Sequence, residues 1–145
     1  MIEARLHGGS QPVRHRTQSR QGGNDVASSA GRVLVVLSHE SRKFKAAVDF
    51  VTSPGTGAHG HRRAEFGLDG GGTTALVTDR ALIEIGDEGA VLRAVHPGED
   101  AELVMAETPM PLSLPRAGAA VSASPTDIEL ELIRRSLDPL GWYTR

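Results

Sequence analysis

The sequence contains no cysteine. This excludes a disulfide framework, a thiolate metal site and a thiol nucleophile, and it fits a cytosolic protein. Aromatic residues are almost as scarce, at three Phe, one Trp and one Tyr. A core must therefore be built from Val, Leu, Ile and Ala. No apolar run approaches the ~18 residues of a membrane span, and no signal-peptide apolar segment is visible. Excess charge is also lacking. The formal net charge of -2 gives no whole-chain case for nucleic-acid binding. At 145 residues the length favours one domain.

The first 21 residues read unlike the rest. Arg5, Arg14, Arg16 and Arg20 stand against the single acid Glu3, with neither helical nor strand periodicity. A nucleic-acid arm would bring aromatics with its arginines, and a transit peptide would be amphipathic. The expectation is a disordered or non-native leader over 1–21, with the domain proper over 22–145.

Beyond Gly31 the pattern becomes structural. "VLVVL", Val33 to Leu37, is a continuous apolar run of strand length, as expected for a strand buried on both faces. Phe44, Ala47 and Val48 fall at helical spacing, which predicts a short helix. "VDFVTSPG" predicts a second strand stopped at Pro54-Gly55, and residues 56–69 an exposed loop. "TALVTD" and "ALIEIG" predict two strands broken near Asp79-Arg80. "DEG" predicts a turn and "AVLRAV" the returning strand, giving an antiparallel hairpin at the sheet edge. In it, Leu82, Ile83 and Ile85 should face Val91, Leu92 and Val95. A short helix is expected over Ala101 to Ala106. A longer one should start with Ser124 as N-cap, Pro125 at the first position and Asp127 at the third. Its apolar stripe would be Ile128, Leu132, Ile133 and Leu137, with Glu131 four residues before Arg135.

Few residues carry chemistry outright. Gly70-Gly71-Gly72 lacks both the spacing of a dinucleotide fingerprint and a following Gly-Lys-Ser/Thr, so a close backbone crossing before a strand is the better reading. His59 and His61 flank one glycine without further ligands, and no metal site is expected. His39 and His96 could serve as acid–base groups, but histidines in turns more often satisfy nearby backbone. Ser53 lacks a nucleophile elbow. "QGGNDVASSAG" is more suggestive. Gly22 and Gly23 leave amides open to a ligand, and Asn24 or Asp25 could cap a short helix. Amides so placed can hold a carbonyl oxygen as it becomes negative.

The ordered stretches "GGNDVASSAGRVLVVLSHESRKFKAAVDFVTSPG", "GGGTTALVTDRALIEI", "LRAVHPGED", "ETPMPL" and "SPTDIELELIRRSLDPLG" together resemble the C-terminal half of the β subunit of family I CoA-transferases, of the glutaconate CoA-transferase type. The resemblance runs from about Gly22 to Gly141. It implies an α/β fold, a mixed sheet layered with helices in which two halves or subunits meet at the active site. It implies transfer of coenzyme A from an acyl-CoA to a carboxylic acid through a glutamyl-CoA thioester. CoA and acyl-CoA would be substrates, with no tightly bound cofactor, and an α subunit the partner, in the cytoplasm. Gly22, Gly23, Asn24 and Asp25 match the family's Gly-Gly loop and are carried over as acyl-CoA contacts. The catalytic residue is not assigned. Family β subunits are about twice this length, and the catalytic glutamate, where the β subunit carries one, lies in the N-terminal half. Neither Glu65 nor Glu88 has its context. The chain is thus expected to be truncated and inactive alone. Two alternatives stay open: a subunit of a CoA-linked ring-opening hydrolase of steroid degradation, and a non-catalytic acyl-CoA- or partner-binding module.

Overall fold

The computed structural model describes residues 2–3, 21–48, 53, 55, 63, 67–68, 71–86 and 88–142. In chain order the elements are β1 (Ile2–Glu3), α1 (Gln21–Ser29), β2 (Val33–Leu37), β3 (Phe44–Lys45), β4 (Thr73–Thr78), β5 (Ala81–Gly86) and β6 (Gly89–Val95). Then follow α2 (Ala101–Ala106), β7 (Leu112–Ser113), β8 (Ala120–Val121) and α3 (Asp127–Leu132). The main sheet runs β2-β4-β5-β6-β7, with β8 also on β6. It is mixed: β2 and β4 are parallel, β4, β5 and β6 antiparallel, and β7 and β8 parallel to β6.

Strand alternation builds the core. The row Val35–Leu76–Ile83–Leu92 crosses four strands on the inner face. Leu76, Ile83 and Leu92 are fully buried there with Phe44 and with Val104 of α2. Asp100 caps α2, its carboxylate accepting from the amides of Glu102 and Leu103 at 2.9 and 3.0 Å. Complete burial of such side chains stabilises by about 1.5–3 kcal/mol each.

The strands and hairpin form as their patterns foretold, including the break at Asp79-Arg80 and the Ile83–Leu92 pair. Ile85 pairs instead with Ala90, in the register set by the Gly86–Gly89 pair at the turn, and Leu82 with Ala94, because a bulge shifts the register between Leu82 and Ile83. Four expectations need correction. The hairpin is not at the edge, since β7 and β8 pair with the outer side of β6. No α-helix forms after β2: Ser41–Lys43 make one 3-10 turn, then Phe44 turns extended and enters the core. Its ring lies 4.7 Å from that of His39, a tertiary contact that outweighs local spacing. Val33–Leu37 is buried on one face only, with Leu34 and Val36 exposed. The last helix starts two residues late. Thr126, not Ser124, is its N-cap, in a reciprocal capping box with Glu129. The helix continues as a π turn over Ile133–Leu137, with Glu131 and Arg135 paired at 2.9 Å. Its stripe is largely uncovered, Ile128, Leu132 and Leu137 all being exposed.

Two expectations lie mostly outside the described residues: the strand before Pro54, and the exposed loop. Within the leader, Ile2–Glu3 pairs in parallel with Phe44–Lys45.

Candidate functional site

The Gly-Gly motif takes a form the sequence did not foretell. Gly22, Gly23, Asn24 and Asp25 lie inside α1, which already begins at Gln21. Asn24 and Asp25 therefore do not cap the helix. Asn24 Oδ1 accepts from Ser28 Oγ at 3.2 Å, and the Asp25 carbonyl accepts from Ser29 Oγ at 2.7 Å. These are bonds four residues apart on one helix. Glycine in a helix costs up to about 1 kcal/mol against alanine. No packing requires it at Gly23, where a Cβ would meet nothing within 4 Å. The first four amides of a helix lack intrahelical acceptors, and Gly22 and Gly23 are among them. The far end of α1 is held by Arg63, whose buried guanidinium donates to the Ser28 carbonyl at 2.6 Å.

The chain leaving α1 crosses the one entering β4 at close range. Gly71 N–H donates to the Gly31 carbonyl at 2.9 Å, and Val33 N–H to the Gly72 carbonyl at 2.8 Å. Gly72 is buried with φ of 66°, a backbone conformation that favours glycine. Gly71 and Gly72 thus serve the close crossing expected of them; Gly70 lies outside the described residues.

A second cluster forms at the carboxyl ends of the parallel pair β2 and β4, where open α/β sheets commonly bind ligands. Thr78 is its hub. Its Oγ accepts from the amides of Arg80 and Ala81 at 3.1 and 2.8 Å, which fills both lone pairs. The hydroxyl proton has two acceptors in reach, the Ala81 carbonyl and Nδ1 of the buried His39, each 3.1 Å away. Thr78 Oγ has no lone pair left for a proton on Nδ1, so the ring proton sits on Nε2, which donates to Thr108 Oγ at 3.0 Å. Thr108 in turn donates to the Val104 carbonyl at 2.6 Å. A proton on Nδ1 would find no acceptor at Thr78, which favours the neutral ring. Its pKa lies below the ordinary 6.5, first because burial disfavours the cation and then because Arg80 is near; Asp79, Glu107 and Glu99 act the other way. The backbone amide of His39 donates to Asp79 Oδ1 at 2.6 Å.

His96 faces Thr78 from the other side. A carbonyl only accepts, so Nε2–H donates to the Thr78 carbonyl at 2.9 Å, and Nδ1 accepts from Ser122 Oγ at 2.8 Å. Neither histidine has a nitrogen left for substrate. His96 satisfies backbone as expected; His39 joins hydroxyls instead. Arg80, between them in sequence, pairs with Glu99 at 2.6 Å and with Glu107.

Beyond this cluster, Glu40 is an exposed carboxylate saturated by donors. Lys43 Nζ and Ser38 Oγ each sit 2.7 Å from Oε1, and Arg42 Nε is 2.6 Å from Oε2. These partners, Lys43 foremost, hold its pKa at about 2. Sequence reasoning misses Glu40, although the spacing Ser38, Glu40, Arg42, Lys43 signals the cluster. A carboxylate so engaged is a poor nucleophile. Glu88 is exposed in the hairpin turn, and Ser53 is half-buried in a bend. His59, His61 and Glu65 lie outside the described residues. Among the described residues no group of three or more metal-ligating side chains comes together, and no helix is long and apolar enough to cross a membrane. An open depression at the C-terminal helix is lined by Ser124, Pro125, Glu129 and Leu132, but its carboxylate is spent on the capping box.

No family model matches the chain. Curated relatives do. The B subunit of 3-oxoadipate CoA-transferase from Pseudomonas knackmussii is 33% identical over 115 residues, 78% of this chain and 44% of that protein. The B subunit of glutaconate CoA-transferase from Acidaminococcus fermentans is 29% identical over 121 residues, 81% of this chain and 45% of that protein. Among solved structures, glutaconate CoA-transferase from Acidaminococcus fermentans superposes with a TM-score of 0.74 at 26% identity, covering 98% of this chain and 55% of the other. IpdAB of Rhodococcus jostii RHA1 gives 0.65 at 26% identity, covering 96% and 55%. The decarboxylase AibA/AibB gives 0.64 at 18% identity, a likeness of fold alone. The chain spans about half the length of the curated relatives it matches. By sequence over most of its length, and by a mixed sheet shared with a solved glutaconate CoA-transferase, the chain is similar to part of a CoA-transferase B subunit.

Proposed function

We propose that the chain is a partial B subunit of a cytoplasmic, heteromeric CoA-transferase that moves coenzyme A from an acyl-CoA to a carboxylic acid. The observation that carries this reading is the superposition on glutaconate CoA-transferase over 98% of the chain. CoA enters as substrate. A glutamate carboxylate attacks the thioester carbonyl; the C–S bond breaks, leaving a mixed anhydride and CoA thiolate. The thiolate attacks the glutamyl carbonyl and releases the first acid, leaving a glutamyl-CoA thioester. The acceptor carboxylate attacks that thioester, and the thiolate it expels takes the acyl group from the second anhydride. New acyl-CoA leaves, the glutamate is restored, and the kinetics are ping-pong. The attacking glutamate is expected from the remainder of the subunit. Glu40, Glu99, Glu107 and Glu129 are all engaged in ion pairs or a cap. The first-turn amides of α1, at Gly22 and Gly23, are proposed to face the thioester oxygen as it charges, with Asn24 and Asp25 beside the acyl-CoA. An α-type subunit completes the enzyme.

The test is CoA exchange between an acyl-CoA and an isotopically labelled acid. It is run on the chain alone and on the chain combined with an α-type subunit and the missing length of the B subunit. The expected result is no turnover alone and turnover when combined, with a borohydride-reducible enzyme–CoA thioester. Turnover by the isolated chain would refute the partial-subunit reading. The alternative reading is hydrolytic, with water in place of the acceptor acid. Cleavage of a C–C bond by water in the combined enzyme, without CoA exchange, would establish it instead. Binding of acyl-CoA with neither reaction would mark a binding module.

A further inference from the structure

The pattern of β2 and its environment disagree. All five residues from Val33 to Leu37 are apolar, yet Leu34 is 56% and Val36 78% exposed. Strands written this way are ordinarily buried on both faces. The hairpin strands next to it are written differently. The outer row Leu34–Ala75–Glu84–Val91 begins apolar and meets a charge on β5. There Glu84 pairs with Arg93 of β6. The other outer row, Val36–Val77–Leu82–Ala94, is apolar throughout, so the face is apolar at β2 and β4 and carries charge on β5 and β6 only at Glu84 and Arg93. On the same strand, one edge has no pairing partner among the described residues. Exposed apolar face and open edge coincide on one element, and both are normally covered.

We infer that the outer face of β2 and β4, with the free edge of β2, is the docking surface for a polypeptide equivalent to the other half of a B subunit. This rests on reading the chain as part of such a subunit. The relatives supply the argument for that occupant. The chain accounts for 44% and 45% of their lengths, and 98% of it fits within 55% of a solved one. As much polypeptide again belongs beside it. A second copy of this chain is the competing occupant. It would present the same Glu84–Arg93 pair across the outer face and would pair β2 with itself.

The absence of cysteine makes the test clean. Val36→Cys and, as a control on an exposed turn, Arg116→Cys are labelled with a thiol reagent. This is done with and without the segment of the Pseudomonas knackmussii B subunit that lies outside the matched region. The expected result is a 1:1 complex by sedimentation and labelling of position 36 slowed about tenfold or more, with position 116 unchanged. Leu34→Glu with Val36→Glu, both at exposed sites, should leave the far-UV spectrum intact and weaken the complex at least about 100-fold. Three outcomes would overturn the inference: no complex, a complex in which position 36 stays reactive, or protection of position 36 by self-association alone. Protection without CoA transfer once an α-type subunit is added to the assembly would leave this surface standing and sink the transferase reading. CoA transfer with position 36 unprotected would do the reverse.

Discussion

Replacing Thr108 by valine tests the hydrogen-bond chain at the strand ends. Valine keeps the shape and removes the Oγ. Two buried groups then lose their partner: His39 Nε2–H, now 3.0 Å from that oxygen, and the Val104 carbonyl, 2.6 Å from it. The ring cannot escape by moving its proton to Nδ1. Thr78 Oγ already accepts two amides and has no lone pair to offer. An unsatisfied buried group costs about 1–3 kcal/mol, so Thr108→Val should destabilise by about 2–4 kcal/mol. For a chain of 145 residues this lowers Tm by roughly 5–12 °C. Thr108→Ser keeps the hydroxyl and loses one methyl, for about 0.8 kcal/mol. Urea and thermal unfolding compare the two, and long-range 15N–1H spectra read the His39 tautomer. Equal stability of the two variants, or a wild-type ring protonated at Nδ1, would refute the assignment.

Other outcomes follow from the same geometry. His39 is held neutral in the folded chain, so the unfolded chain binds the proton more readily. Stability should be full above pH 6.5 and fall as the pH drops from there toward the lower folded value. Denaturant melts at stepped pH should show that slope, flattened in His39→Gln. Gly72→Ala forces a Cβ onto φ of 66° and should cost about 1–2 kcal/mol. Gly71→Ala meets only Thr74 Cγ2 at 3.5 Å and the Gly31 carbonyl at 3.6 Å, and should range from neutral to about 1 kcal/mol stabilising. Both are read by thermal melts. Glu40 should titrate at about 2 by carboxyl NMR, and Lys43→Met should move its midpoint upward, Lys43 being its foremost partner.

The sequence was most legible where a local pattern and the tertiary environment agree. β4, β5 and β6 are half-buried strands with alternating burial, and α2 opens with an Asp100 cap. It was misleading where a distant group decides. Helical spacing at Phe44, Ala47 and Val48 yields to the pull of a core that needs Phe44 against His39. The late start of α3 was readable all along. Thr126-x-x-Glu129 is a capping-box signature, but Ser124-Pro125 offered a competing one upstream. The candidate site divides in the same way. The Gly-Gly motif stood out by composition and by resemblance, whereas its placement within a helix depends on Arg63 and on the crossing at Gly31 and Gly71.

The histidines show why strand ends resist reading from sequence. His39, Thr78, His96 and Thr108 lie far apart along the chain, and nothing in their local patterns links them. Each becomes intelligible through an acceptor count on one hydroxyl. Thr78 Oγ is filled by the amides of its own turn and can take no proton from His39, while its own proton lies between the Ala81 carbonyl and His39 Nδ1. His39 must then donate to Thr108, at the C-terminal end of α2. His96 takes the carbonyl of the same Thr78 and passes its other nitrogen to Ser122, just after β8. One residue thus ties together β2, β4, α2 and the segment beyond β8 at the carboxyl end of the parallel pair. Among the described residues, these histidines act by holding strand ends in place, with both ring nitrogens of each committed to neighbours within the fold.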